Sequence, residues 1–459
     1  MRAQKIVIVF FSLVLFFAYA IWRYDLRLPQ PPSIILIEID SLRPDHLGCY
    51  GYYRPTSPNI DALAAQATRY TNCYSTSTWT IPANYSLLTS LYPQQHTVVS
   101  PYRTLDPSIS TIMSFLNKER YPIGIFNDHF YFFDHLNPRH LWPAITYSHH
   151  ADAESVNRAA KQWLARCPRP FFLWTYFLGP HRPYAAPPPH QGLFPYADAP
   201  PMPLAKSALE YYDGWDSIPQ SVAQNGIMNP EFYIARYDET IHYADAQVGE
   251  LIRTLKEQNL FDNCLIIVFA DHGESLGEHH LFFNHTWTLF NEIIKIPLIV
   301  KWPHITQPRV VHSPASILDI FPTIVRAMHK TPPSTTNGIP LQNTIDHRRQ
   351  ILCYNPGLGT CIIDAGWKLI KYTPRDPYAL KTLHFFFPNH DRETYQLFDL
   401  TNDPAELIDR MRLNPDQAQH LIGQLKYLET PLKAHAFPIH KHPVPPDMQE
   451  TLKSLGYTQ

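Results

Sequence analysis

No Cys-x-x-Cys pair occurs among Cys49, Cys73, Cys167, Cys264, Cys353 and Cys361, which argues against a thiolate zinc site. Charge of one sign is also missing. The formal net charge is −2, so bulk electrostatics provides no attraction to nucleic acid or to an anionic membrane. There is no internal repeat. Charged residues make up 17% and apolar ones 45%, an ordinary globular balance. Proline, in contrast, is abundant at 45 residues and predicts many irregular surface loops. A chain of 459 residues exceeds the size at which one core stops growing, so two domains are expected.

Arg2 and Lys5 precede an apolar segment, Ile6 to Trp22, interrupted only by Ser12. This pattern is that of a secretory signal or an N-terminal signal anchor over residues 1–28. Ala18-Tyr19-Ala20 fits a cleavage site, whereas the length of the run approaches a bilayer span and tips the reading towards an anchor. Either way the bulk of the chain is expected outside the cytoplasm, periplasmic or tethered to the membrane through this segment. Export permits disulfides. Cys353 and Cys361 are close enough to bridge a hairpin, with two buried free thiols as the alternative.

Beyond Pro29, Pro31 and Pro32, apolar runs at 33–39, 121–126, 171–177, 264–270 and 296–302 alternate with helical patterns near 58–68, 83–90, 106–118, 231–257 and 314–328. The alternation predicts an α/β fold, a mostly parallel sheet covered by helices on both faces, over 33–345. Ligands of such sheets gather beyond the carboxyl ends of the strands. The long segment 184–230, rich in proline and aromatics, is expected to act as a lid that shapes a pocket. From 346 the pattern shortens to strands near 351–354, 360–364, 367–372 and 395–400 and a helix near 413–429. This predicts a smaller antiparallel α+β domain over 346–435 and a tail over 436–459.

Three strand-end blocks carry the chemistry. Asp40 closes the run 33–39, and a buried carboxylate there needs a counter-charge: a metal, or Arg43 nearby. Glu38 shares its side of the strand as a supporting group. Asp271-His272 closes the run 264–270 with an oxygen and a nitrogen ligand, a mixture suited to zinc or manganese, with calcium the alternative. Gly273 permits close backbone approach. Thr80, two residues before Pro82, is the candidate nucleophile and a fourth metal contact, and is expected to serve as the N-cap of the 83–90 helix as well, a plain cap being its structural alternative. His181, fenced by Pro180 and Pro183, is a candidate general acid; His285 and Asn84 are candidates to steady an ester oxygen. His279 and His280 read as surface groups.

These blocks resemble the sulfatase branch of the alkaline phosphatase superfamily. Asp40-Ser41-Leu42-Arg43-Pro44-Asp45-His46 looks like its first metal block, Ser86 to Pro93 with His96 like the segment after its nucleophile, and Tyr237 to Asp245 like the helix before its second metal block. Ile296-Pro297-Leu298, Ile317 to Thr323 and Leu452 to Tyr457 also fit. The resemblance implies an alkaline phosphatase-like sandwich and a metal-dependent ester hydrolase. It also marks departures. The family's Cys/Ser-x-Pro-x-Arg motif reads Thr80-Ile81-Pro82-Ala83-Asn84, so no formylglycine is expected and the motif arginine is lost. Ser41 replaces a second aspartate, and Asn127-Asp128-His129 replaces a Lys-x-His pair. A threonine with Asp and Asp-His resembles the phosphoryl-handling relatives, phosphodiesterases and envelope phosphoethanolamine or phosphoglycerol transferases. The expected reaction is therefore in-line attack of Thr80 on a phosphate or sulfate ester, phosphoester favoured, with hydrolysis or transfer to follow. A true sulfatase and an inactive binding protein are the rival readings. The expected partners are a small-molecule, envelope-glycan or lipid ester, and no nucleic acid.

Overall fold

Strands whose every residue is apolar need cover on both faces, and the centre of the main sheet meets that need. The computed structural model describes residues 30–128, 145–205, 214–343, 348–373 and 394–441. In chain order the main strands are β1 (Ser33–Ile39), β2 (Thr68–Tyr74), β3 (Ile123–Asn127), β4 (Thr146–His149), β5 (Phe172–Phe177), β6 (Cys264–Phe269), β7 (Lys295–Lys301) and β8 (Arg309–Val311). They lie side by side in the order β8-β2-β7-β6-β1-β5-β3-β4, with Ala315–Ser316 pairing beside β2. The run from β6 through β4 is parallel, whereas β7 is antiparallel to both of its neighbours. All of β1, β5 and β6 is buried. Each aliphatic side chain there contributes roughly 1.5–3 kcal/mol of burial free energy, which fixes the strand ends that carry the site.

A second sheet follows. Ile351–Asn355, Gly359–Asp364, Trp367–Tyr372 and Thr394–Asp399 pair antiparallel in sequence order. Helix Pro415–Ala434 lays Leu421 and Leu425 on Leu352, Ile362 and Leu369. The expected α/β sandwich with a smaller antiparallel sheet is the observed architecture.

Boundaries differ where local patterns misled. The helical pattern 58–68 ends as a helix at Ala64, and Thr68–Tyr74 is a strand that the polar alternation of Thr68, Thr71 and Asn72 hid. The 106–118 pattern becomes a helix only at Ile112, where Thr111 accepts a hydrogen bond from the Ser114 amide. Helix Ala153–Leu164 and strand β4 were not anticipated. Cys353 and Cys361 stand opposite one another across the second sheet as buried free thiols. No helix among the described residues is long and apolar enough to cross a membrane; the segment 1–28, the tail beyond Lys441, His129 and Leu452 to Tyr457 lie outside them.

Candidate active site

The parallel pairing of β1 with β6 brings their carboxyl ends together, so Asp40 and Asp271 emerge side by side. Helix Thr80–Thr89 points its first residue at the same place. The Nε2 of His272 lies 3.5 Å from Asp40 Oδ1, 3.5 Å from Asp271 Oδ2 and 3.3 Å from Thr80 Oγ1. His272 Nδ1 donates to the Gly273 carbonyl at 2.8 Å, which leaves Nε2 as the lone-pair nitrogen. Asp40, Asp271 and His272 are wholly buried, and Thr80 nearly so.

Two carboxylates, a bare imidazole nitrogen and a hydroxyl are a metal-ligating donor set, and the ligand atoms of Asp40, Asp271 and His272 all fall within 4.8 Å of one another. Asp271 Oδ2 is buried with no hydrogen-bond donor among the described residues. Burial, then the proximity of Asp271, push the carboxyl of Asp40 well above its ordinary range; Tyr176 and Ser41 pull back. These residues fit a divalent cation. The alternative partner for Asp40, Arg43, is engaged elsewhere: its guanidinium grips Asp45 through two nitrogens and also meets Glu278 and the Glu274 carbonyl.

Two aromatic donors escaped sequence reasoning. Tyr176 donates its hydroxyl to Asp40 Oδ2 at 2.8 Å, and the Trp174 indole donates to Glu38 Oε2 at 2.9 Å. Glu38 and Asp40 are two residues apart on β1, and Trp174 and Tyr176 two apart on the adjoining β5, so one pleat face presents both pairs. The period-2 spacing was visible in each strand; their adjacency was not. Such outer partners orient ligands and are worth about 10–100-fold in metal affinity.

Thr80 is not the N-cap expected of it. The helix starts at Thr80 itself, after an extended Trp79, and no side chain caps it. The hydroxyl is turned to His272 instead. Asn84, one turn on, is buried beside Glu38; burial, then Asp271, push the Glu38 carboxyl well above its ordinary range, and the Asn84 amide pulls back. Gly273 allows the approach assigned to it: a Cβ there would stand 2.1 Å from the Glu292 carbonyl oxygen.

The His285 ring lies tilted against His272 with ring centroids 4.4 Å apart, and His181 lies against His285, centroid to centroid 5.2 Å. Both are buried within reach of the cluster. His285 Nδ1 faces Glu274 Oε1 at 3.1 Å, and burial pushes the Glu274 carboxyl up to about 8 against the pull of Arg182 and Tyr184. His181 Nδ1 donates to the Arg182 carbonyl at 2.8 Å, so its Nε2 carries a proton only as the imidazolium. The described part of the 184–230 segment packs here as well: Tyr184 sits edge-on to Tyr237 and Phe283, and Gly214 accepts from the Phe282 amide. Tyr211, Tyr212 and Asp213 lie outside the described residues.

His280 is exposed as expected, but His279 is not a surface group. It stacks flat on Phe290 at 3.6 Å and pairs with Glu292 at 3.0 Å. His96 supports the Thr80 helix. Its Nδ1 accepts from the Val98 amide, so Nε2–H faces the Pro82 carbonyl at 3.3 Å and the Ser86 hydroxyl at 3.2 Å. Burial pushes this imidazole down to about 3. The unfolded chain therefore takes up a proton near pH 6.5 that the folded one refuses until about pH 3, and stability falls as pH drops across that window. His96→Asn should flatten the slope of unfolding free energy against pH by up to about 1.4 kcal/mol per unit there. Parallel slopes for the two proteins in urea titrations would refute this.

Comparison with known proteins agrees with the geometry. A family model described as Sulfatase matches residues 32–330. The uncharacterized sulfatase YidJ of Escherichia coli is 24% identical over 87% of each chain. The N-acetylgalactosamine-6-O-sulfatase of Bacteroides thetaiotaomicron is 24% identical over 87% of this chain and 94% of its own. The solved phosphonate monoester hydrolase of Agrobacterium radiobacter superposes with a TM-score of 0.66 at 19% identity, covering 88% of this chain and 95% of its own.

Proposed function

The chain belongs to the sulfatase family of hydrolases, and from that premise we propose that it is a metal-dependent phosphoester hydrolase or transferase with Thr80 as its nucleophile. The observation that carries the reading is the approach of Thr80 Oγ1 to 3.3 Å from His272 Nε2, at the convergence of Asp40 and Asp271. Asp40, Asp271 and His272 would hold a divalent cation, which would supply Lewis acidity to acidify the neighbouring Thr80 hydroxyl. Thr80 Oγ1, its proton given up to solvent, bonds to phosphorus in line as the bond to the ester oxygen breaks. His181, protonated on Nε2, gives its proton to the departing alkoxide. Asn84 and His285 steady non-bridging oxygens. Water, or an acceptor hydroxyl, attacks the Thr80 ester opposite the threonine oxygen, loses its proton to His181 and frees the enzyme. The fold likeness to a phosphonate monoester hydrolase supports phosphorus chemistry, as does a hydroxyl that no oxidation converts to formylglycine.

A second reading, hydrolysis of sulfate esters, draws on the family match and on the N-acetylgalactosamine-6-O-sulfatase likeness. Zinc or manganese suits the donor set of either reading. Rates on nitrophenyl phosphate, a phosphodiester, a phosphonate monoester and nitrophenyl sulfate, with elemental analysis of the same preparation, separate the two. Phosphorus esters should be turned over faster; turnover confined to the sulfate would defeat the phosphoester reading.

A further inference from the structure

A cavity of about 730 Å³ lies at the edge of the main sheet opposite to the metal cluster. Ser33 and Cys264, the first residues of β1 and β6, line it, and so does Trp302, just past the end of antiparallel β7. Its lining contains no acidic residue among those described. Arg169 and Arg326 are exposed at its rim, neither with an ion pair in the described structure, and Ile305 projects beside them half exposed. Gln30, where the described chain begins, also lines the cavity.

The sequence before Gln30 says what comes near. The apolar segment ends at Trp22, leaving residues 23–29, with two further arginines at 23 and 27, as the only spacer. Seven residues reach at most about 25 Å when fully extended. If Ile6 to Trp22 stays in a bilayer, this face cannot leave the neighbourhood of the headgroups.

We infer that this cavity and its arginine rim form a docking surface for the anionic phospholipid headgroups of the bilayer that holds the N-terminal segment. Arg169 and Arg326 meet lipid phosphates as charge-assisted donors, and Ile305 enters the interfacial layer. Docking has a consequence for catalysis. β1 is seven residues long, so the metal cluster stands about 23 Å further from the bilayer than the cavity. The active edge then faces the aqueous side, and the ester substrate arrives from solution or on a polymer rather than as a lipid of the same leaflet. This inference rests on an uncleaved segment and not on the identity of the reaction.

The test uses the full chain in vesicles of phosphatidylcholine with or without phosphatidylglycerol, with a benzophenone amino acid in place of Ile305 or, as a control, of Tyr53, which is 78% exposed. Irradiation should attach lipid at position 305 and not at 53, and only when phosphatidylglycerol is present. The double variant R169E/R326E should lower that adduct by roughly tenfold while ester turnover in detergent is unchanged, which keeps this outcome separate from the proposed reaction. Equal labelling at 305 and 53, an adduct indifferent to phosphatidylglycerol or to charge reversal, protein–protein cross-links in place of lipid ones, or a mature chain that begins after Trp22 would each overturn the docking surface.

Discussion

Thr80→Ala is expected to reduce ester turnover by about 10³-fold or more while the protein stays folded and keeps its metal. The side chain is buried, but its recorded polar contact is the 3.3 Å approach to His272, and it caps no helix. The cost in stability should therefore be about 1 kcal/mol, the scale of one hydroxyl contact. Thr80→Ser keeps the hydroxyl, loses a methyl and should retain measurable turnover. Thr80→Cys, coexpressed with a formylglycine-generating enzyme, should not become an efficient sulfatase, since Asn84 cannot supply the charge of the motif arginine. Acid quenching during turnover of a phosphoester should leave a phospho-adduct on the peptide containing Thr80. Full activity in Thr80→Ala would end the nucleophile assignment.

The second large effect concerns the carboxylates. Asp40→Asn and Asp271→Asn should each weaken metal binding by at least about 100-fold, beyond the cost of losing an outer partner, with turnover falling in step. Tyr176→Phe, which removes a donor to Asp40 without touching a ligand, should fall within the 10–100-fold range. In metal-free protein the sign reverses. Burial and the neighbouring Asp271 disfavour the charged form of Asp40, so an amide at position 271 relieves repulsion and Asp271→Asn should melt no lower than the wild type without metal. Full metal occupancy by mass spectrometry in both aspartate variants would show that the ion sits elsewhere.

The block Asp271-His272 was legible because a wholly apolar run that stops at charged residues marks a buried strand delivering them at its end. Asp40 was legible on similar ground, at the end of a run apolar except for Ser33 and Glu38, and so was the α/β architecture, since period and apolar runs are local properties of the chain. Thr80 was recognisable by its place before Pro82, yet its environment was not, because the helix begins three residues earlier than expected and turns the hydroxyl towards a histidine 192 positions away. The antiparallel setting of β7, the burial of His279 against Phe290 and the donors Trp174 and Tyr176 were decided only by tertiary structure. Nothing in Phe171 to Phe177 says that this strand lies against β1, so nothing there could reveal that its two polar aromatic tips answer Glu38 and Asp40. Local sequence determines which side chains reach the edge of a sheet; long-range pairing determines which of them meet.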